Sequence, residues 1–230
     1  FFRLQSLAVA RMKWSKPPNT AGVRPSKRYF HAMVNYGDKA LLLFGGKDDD
    51  QRFNDCHVFN KDPQVCLWTQ PMIKGTPPPV RSAHSISIMG HKVYIFGGHQ
   101  DGAKFNDLHV LDTKLMRWSM LEPTGPEPSK RNAHSTSAVG ERLFIFGGFD
   151  GNSCNDLWIY DSGTNEWVEA EPTGNPPSER CCHTSNLVRE ELWVFAGKNN
   201  DSKGVVERYN DLYVLDVHNL QWMNPNPSVK

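Results

Sequence analysis

The sequence predicts an all-β protein, a β-propeller built from four-stranded blades. Three observations carry this. One phrase of about 50 residues recurs four times in the 230-residue chain: Arg-x-x-His, an apolar run closed by Gly-Gly, Asn-Asp, then Trp. Each phrase contains short β-branched and aromatic runs separated by turn residues. No segment keeps a helical periodicity. A repeat of this length is one supersecondary unit that buries its faces against its neighbours. Four-stranded units set about an axis leave only short, protected edges.

The copies begin at Arg28, Arg81, Arg131 and Arg180, with His31, His84, His134 and His183 three residues on. Strand a follows the histidine. His84-Ser-Ile-Ser-Ile88 alternates small polar with apolar residues, as a strand in a crowded place near the axis should. Strand b is the apolar run, Lys92–Phe96 or Arg142–Phe146. It is closed by Gly45-Gly46, Gly97-Gly98, Gly147-Gly148 and the degenerate Ala196-Gly197, where positive φ or close backbone approach is expected. Strand c opens at Asn54-Asp55, Asn106-Asp107, Asn155-Asp156 and Asn210-Asp211. A turn such as Asp161-Ser-Gly-Thr-Asn165 leads to strand d, which carries Trp68, Trp118, Trp167 or Trp222 as a plate to fill the wedge between blades.

The chain reads as a single domain over 1–230. Blades span about 28–70, 81–121, 131–170 and 180–224, joined by Pro-rich linkers. Trp to the next Arg is 13 residues in three copies and 14 from Trp14 to Arg28, so length variation is confined to loops. Residues 1–16 read as a partial blade, because Met12-Lys-Trp-Ser15 parallels Met116-Arg-Trp-Ser119. Four complete blades and a part are expected of a fragment of a larger, about six-bladed ring, or of a ring completed by self-association. The first residue is Phe, not Met, as in a processed chain or a piece of a longer one.

Composition bounds the function. Net charge is +1, so no strong field points to nucleic acid or an anionic membrane. No apolar run approaches the ~20 residues that span a bilayer, and the start lacks the apolar core of a signal peptide. Five cysteines form an odd set without metal-ligand spacing, which points to a reducing compartment, cytoplasmic or nuclear. Cys56 and Cys66 flank a hairpin and could face each other across it.

The Arg-x-x-His, Gly-Gly, Asn-Asp and Trp pattern resembles the kelch repeat. The resemblance covers residues 14–222. The Thr-Gly-x-x-Pro-x-x-Arg linkers at 124–131 and 173–180 resemble those of host-cell-factor, Rab9-effector and leucine-zipper-like-regulator types. The resemblance implies a kelch-type β-propeller whose b–c and d–a loops form a partner-binding face.

That face carries the candidate residues. Arg28, Arg81, Arg131 and Arg180 could grip acidic groups of a partner. Alternatively each pairs with the Asp of its Asn-Asp, two strand spacings or about 9–10 Å away. The positions that change between copies carry more information: Tyr29, Ser82, Asn132 and Cys181 after Arg, and Lys47, His99, Phe149 and Lys198 after the glycines. Arg208 and Tyr209 stand in the longest b–c loop. Tyr, Phe and Arg are favoured interface anchors. The repeated histidines are expected to bond a neighbouring blade's backbone rather than a metal. Asp48-Asp49-Asp50 reads as a solvated turn, not a calcium loop, and Cys181-Cys182 as buried packing.

No nucleophile with a nearby base, phosphate-cradling loop or metal spacing stands out. The expectation is a non-catalytic protein-interaction domain without a cofactor: an adaptor, scaffold or ubiquitin-ligase substrate receptor that binds a partner's peptide or loop. A cytoskeletal or small-GTPase trafficking scaffold is the alternative. A kelch-fold metal-dependent enzyme is the distant rival, since fold does not dictate function. The acidic series one such family uses breaks here, because Glu207 and Asp211 are followed by Leu215.

Overall fold

The computed structural model describes residues 20–200 and 206–225. The partial blade expected over 1–16 lies outside the described residues. Those described form four blade sheets, each with four antiparallel strands, a two-stranded hairpin of His99–Gln100 with Ala103–Lys104, and no helix, arranged as a β-propeller. Blade 1 has strands a to d at Ala32–Tyr36, Ala40–Phe44, Cys56–Asn60 and Leu67–Thr69. Blade 2 has Ser85–Met89, Lys92–Phe96, Leu108–Asp112 and Arg117–Leu121. Blade 3 has Ser135–Val139, Arg142–Phe149, Ser153–Asp161 and Glu166–Ala170; blade 4 has Thr184–Val188, Glu191–Asn200, Val206–Asp216 and Gln221–Met223.

The order a-b-c-d runs outward in every blade. In blade 2 the register is Ser85 opposite Phe96, Phe96 opposite Leu108 and Leu108 opposite Leu121. Period-2 alternation then sends alternate strand b residues to opposite neighbours. Leu143 and Ile145 pack toward blade 2, while Phe144 and Phe146 pack toward blade 4. Each junction is closed by a Phe of one blade against the Trp of the next: Phe44 with Trp118 at 5.3 Å, Phe96 with Trp167 at 5.3 Å, Phe146 with Trp222 at 5.0 Å. These rings are buried, as the wedge reading requires.

The linkers do more than connect. Each lays a short parallel segment on the outer edge of the blade it is about to enter. Ala21–Gly22 pairs with Leu67–Trp68 and Thr173–Gly174 with Gln221–Trp222, while Lys74 and Thr124 make single bridges to Arg117 and Glu166. An edge that could pair with another chain is thereby covered. The linker glycine is required by close approach: a Cβ on Gly125, at φ +84, would lie 2.6 Å from the Trp167 carbonyl oxygen. The linker proline is buried. Its carbonyl accepts the side-chain amide of the preceding blade's Asn, from Asn54 to Pro78 at 3.1 Å and Asn106 to Pro128 at 3.3 Å.

The glycine pairs differ from expectation in one respect. In blades 3 and 4 they do not end strand b; the ladder slips at Phe146/Gly148 and Phe195/Gly197 and then continues into the loop. The pair is a bulge squeezed between two histidines. A Cβ on Gly97 would meet His134 of the next blade at 2.8 Å, and one on Gly98 would meet its own blade's His84 at 2.8 Å. Ala196 stands at the equivalent place in blade 4, at φ +58. Beside it Phe195 is 49% exposed, whereas Phe44, Phe96 and Phe146 are at most 1% exposed.

The histidines reach across the junctions to the preceding blade's backbone, His84 at Phe44 and His134 at Phe96. The sequence reading did not foresee the hydroxyl partners: His134 Nε2 meets Ser85 Oγ at 2.8 Å, and His183 Nε2 meets Ser135 Oγ at 2.9 Å. Blade 1 has Ala32 where blades 2 and 3 have Ser85 and Ser135, so His84 meets no hydroxyl across its junction. Cys56 and Cys66 are both free; burial pushes the Cys56 thiol up to about 12.

Candidate functional site at the channel mouth

Strand direction places the b–c loops and linkers on one face, around the central channel. The repeated arginines sit beneath this face, inside the blades. Arg81 and Arg180 are 0% exposed and Arg131 1%. Arg81 donates from Nε to the Pro79 carbonyl, from one terminal nitrogen to Gly97 O at 2.8 Å and Asp107 at 2.7 Å, and from the other to Asp107 at 2.7 Å. Arg28, Arg131 and Arg180 make the same set with Asp55, Asp156 and Asp211. One planar fork thus ties the linker, the end of strand b and the start of strand c, which a lysine's point charge could not do. Burial works against the charge of Asp107, but hydrogen bonds from Arg81 and His109 outweigh it and hold its carboxyl far below the usual range. The four arginines therefore hold the blades, and the paired reading is the observed one.

Sequence reasoning missed what covers these pairs. The residue before Asn-Asp stacks on the guanidinium: Phe53 over Arg28 at 4.0 Å, Phe105 over Arg81 at 4.5 Å and Tyr209 over Arg180 at 4.5 Å. Cys154 takes that place in blade 3. The signal was legible as an aromatic at a fixed offset in three copies. Tyr209, expected as an interface anchor, has its ring engaged in this way.

The second residue after each Arg forms the channel wall. Phe30, Ala83, Ala133 and Cys182 share φ between +52 and +59, a region that costs an ordinary residue about 1–2 kcal/mol. A chain of hydrogen bonds around the axis offsets it. Ala83 N–H donates to Phe30 O at 2.9 Å, Ala133 to Ala83 O at 2.8 Å, and Cys182 to Ala133 O at 2.9 Å. With the four histidines these residues line a cavity of about 280 Å³. Cys181 is buried as expected, but Cys182 is exposed to this mouth. A hydrogen bond from Cys181 and the nearby Lys198 charge draw its thiol down to about 6.

The structure brings the two variable sets together. The residue after Arg and the residue after the glycines form antiparallel bridges: Tyr29 with Lys47, Ser82 with His99, Asn132 with Phe149, Cys181 with Lys198. Each is closed by two backbone hydrogen bonds of 2.8–3.1 Å. Side chains then reach across blades. Asn132 Nδ2 lies 3.2 Å from His99 Nδ1, Lys104 Nζ lies 5.1 Å from the Phe149 ring, and Arg52 pairs with Asp101. Tyr29 is 40% exposed, and Lys47, His99, Asn132, Phe149 and Lys198 are half-buried. Arg208 is exposed and faces Lys198 across the ladder. Ser82 is buried and does not reach the surface.

Two alternatives find no geometry. Asp48 is a turn cap, accepting the Asp50 and Gln51 amides at 2.9 and 2.7 Å. Among the described residues no three His, Cys, Asp or Glu side chains converge as a metal would need. No helix of the described residues is long and apolar enough to cross a membrane.

Comparison with known proteins places the repeats. The family described as "KLHDC2/KLHL20/DRC7 Kelch-repeats domain" matches residues 2–197 and 118–230. The chain belongs to the kelch-repeat family. It is 34% identical to human Kelch domain-containing protein 3 over 119 residues, 48% of this chain and 31% of that protein. It is 32% identical to bovine Kelch domain-containing protein 2 over 145 residues, 54% and 35% of the two chains. Tip elongation aberrant protein 1 of Schizosaccharomyces pombe is 37% identical over 108 residues, 46% of this chain and 9% of its own length. The matched part thus spans about a third or less of these relatives. A kelch propeller is in general a protein-interaction fold.

Proposed function

We propose that this domain is a non-catalytic adaptor, scaffold or ubiquitin-ligase substrate receptor that holds a partner's peptide or loop at the channel mouth. One observation carries the reading. Most of the residues that vary between repeats are bridged in pairs at the surface, while the repeated Arg and Asp are engaged with one another inside the blades. Binding residues are normally grafted in this manner on a fixed scaffold. Tyr29, Lys47, His99, Asn132, Phe149, Lys198 and Arg208 are the contact residues of this proposal. Five unpaired cysteines support a reducing, cytoplasmic setting.

Site-directed photo-crosslinking tests it. A benzophenone side chain at position 149 is expected to give discrete adducts in cell extract. One at Val168, 50% exposed on the outer strand of the same blade, should not. Equal adducts from both positions would count against the channel-mouth face.

A further inference from the structure

Blade 4 brings two consecutive thiols to the channel mouth. Cys181 stands where the other blades have Tyr29, Ser82 and Asn132, and Cys182 where they have Phe30, Ala83 and Ala133. The backbone fixes both. Cys181 exchanges two hydrogen bonds of 2.9 Å with Lys198, and Cys182, at φ +59, donates its N–H to the Ala133 carbonyl. One thiol is thereby kept under the surface and the other within reach of solvent. Cys181 is 2% exposed, whereas Cys182 opens into the cavity of about 280 Å³ at the mouth.

The buried thiol supports the exposed one. The Asn200 N–H donates to Ser153 Oγ at 3.0 Å, the Ser153 hydroxyl points at Cys181 Sγ at 3.9 Å, and the Cys181 S–H points at the Cys182 sulfur. A row of donors thus ends on Cys182, and with the Lys198 charge it favours a thiolate there. Cys154, half-buried in blade 3, has the opposite surroundings; burial, with the Asp156 and Asp150 charges, pushes its thiol up to about 11.

We propose that Cys182 and Cys181 form a peroxide-responsive pair, with Cys182 as the attacking sulfur and Cys181 as the resolving one. The Cys182 thiolate attacks one oxygen of hydrogen peroxide. An S–O bond forms, the O–O bond breaks, and the hydroxide released takes a proton from solvent. Cys181 then attacks the Cys182 sulfenic acid. An S–S bond forms, the S–O bond breaks, and the departing hydroxide takes the proton that Cys181 gives up. The two sulfurs lose two electrons between them, and the peroxide becomes two waters. An accessible thiolate beside a resolving thiol is the arrangement such oxidation requires. Consecutive Cα atoms are about 3.8 Å apart, closer than the roughly 4.4–6.8 Å of ordinary disulfides. The bond is therefore strained and easily reduced, as a reversible modification in a reducing compartment must be. The site does not depend on the identity of any partner at the mouth.

The full chain, treated with hydrogen peroxide and followed by intact mass and peptide mapping, tests this. The parent should lose the mass of two hydrogens at the Cys181-Cys182 peptide and regain it with dithiothreitol. The rate should rise with pH to half its plateau near pH 6. Cys181→Ser keeps a donor toward Cys182 but removes the resolving sulfur, so the reaction should halt at a Cys182 sulfenic acid that dimedone traps. Cys182→Ser should leave Cys181 unoxidised. A parent that never loses the two hydrogens, oxidation that maps first to Cys154, or oxidation of Cys181 that survives Cys182→Ser would overturn the proposal.

Discussion

His84 lacks the cross-blade hydroxyl that His134 and His183 meet. It is buried like His134 and His183, but Ala32 offers no hydroxyl to its Nε2. An unmet buried polar group costs about 1–3 kcal/mol. Ala32→Ser should therefore raise stability by about 1 kcal/mol in urea unfolding, with Ser85→Ala lowering it by at least as much. The sequence made this mismatch visible, since Ala32 departs from Ser85 and Ser135. The chemistry was less legible. Without strand orientation, a histidine at a strand start could face backbone, hydroxyl or metal equally well. The arginines show the same limit: the recurrence of Arg with Asp was plain, but only burial and the five-donor geometry decide that the guanidiniums are fully engaged within the blade.

At the scale of the element, turns and linkers explain the strict spacing. The c–d turns are nearly identical. Asp112, Asp161 and Asp216 each accept two backbone amides, and Met116, Asn165 and Leu220 follow at positive φ. The carbonyl of that residue then accepts the linker N–H: Met116 from Lys74 at 2.8 Å, Asn165 from Thr124 at 2.9 Å and Leu220 from Thr173 at 2.8 Å. Strand count and order were legible because hydrophobic period and turn residues report them directly. The edge-covering role of the linker was not, because a two-residue parallel bridge leaves no periodicity. Two glycines separate close approach from conformation. Gly140→Ala, at φ +58 with open space around it, should cost about 1 kcal/mol. Gly125→Ala adds a collision with the Trp167 carbonyl and should cost clearly more, as paired thermal melts would show.

For the whole molecule, the inner ring makes stability depend on pH. Burial pulls His84 down to about 3, His183 to about 4 and His134 well below its ordinary 6.5. In the unfolded chain all three take up protons below pH 6.5, while the folded ring stays neutral. Stability is complete above that pH and falls as the pH drops from 6.5 toward 4. The slope approaches about 1.4 kcal/mol per pH unit for each histidine, and urea midpoints measured at successive pH values check it.

The central claim divides the chain between letters that hold the propeller and letters that meet a partner. The most direct test measures both quantities on two variants. The triple variant Tyr29→Ala, Phe149→Ala, Lys198→Glu should keep the melting temperature within a few degrees and lose the partners captured by the parent chain. Arg131→Met strands the Asp156 carboxylate and should lower stability by about 3 kcal/mol. At a temperature where it remains folded, it should still capture the same partners. A triple variant that keeps its partners, or an Arg131→Met protein that is stable but blind to them, would contradict the account.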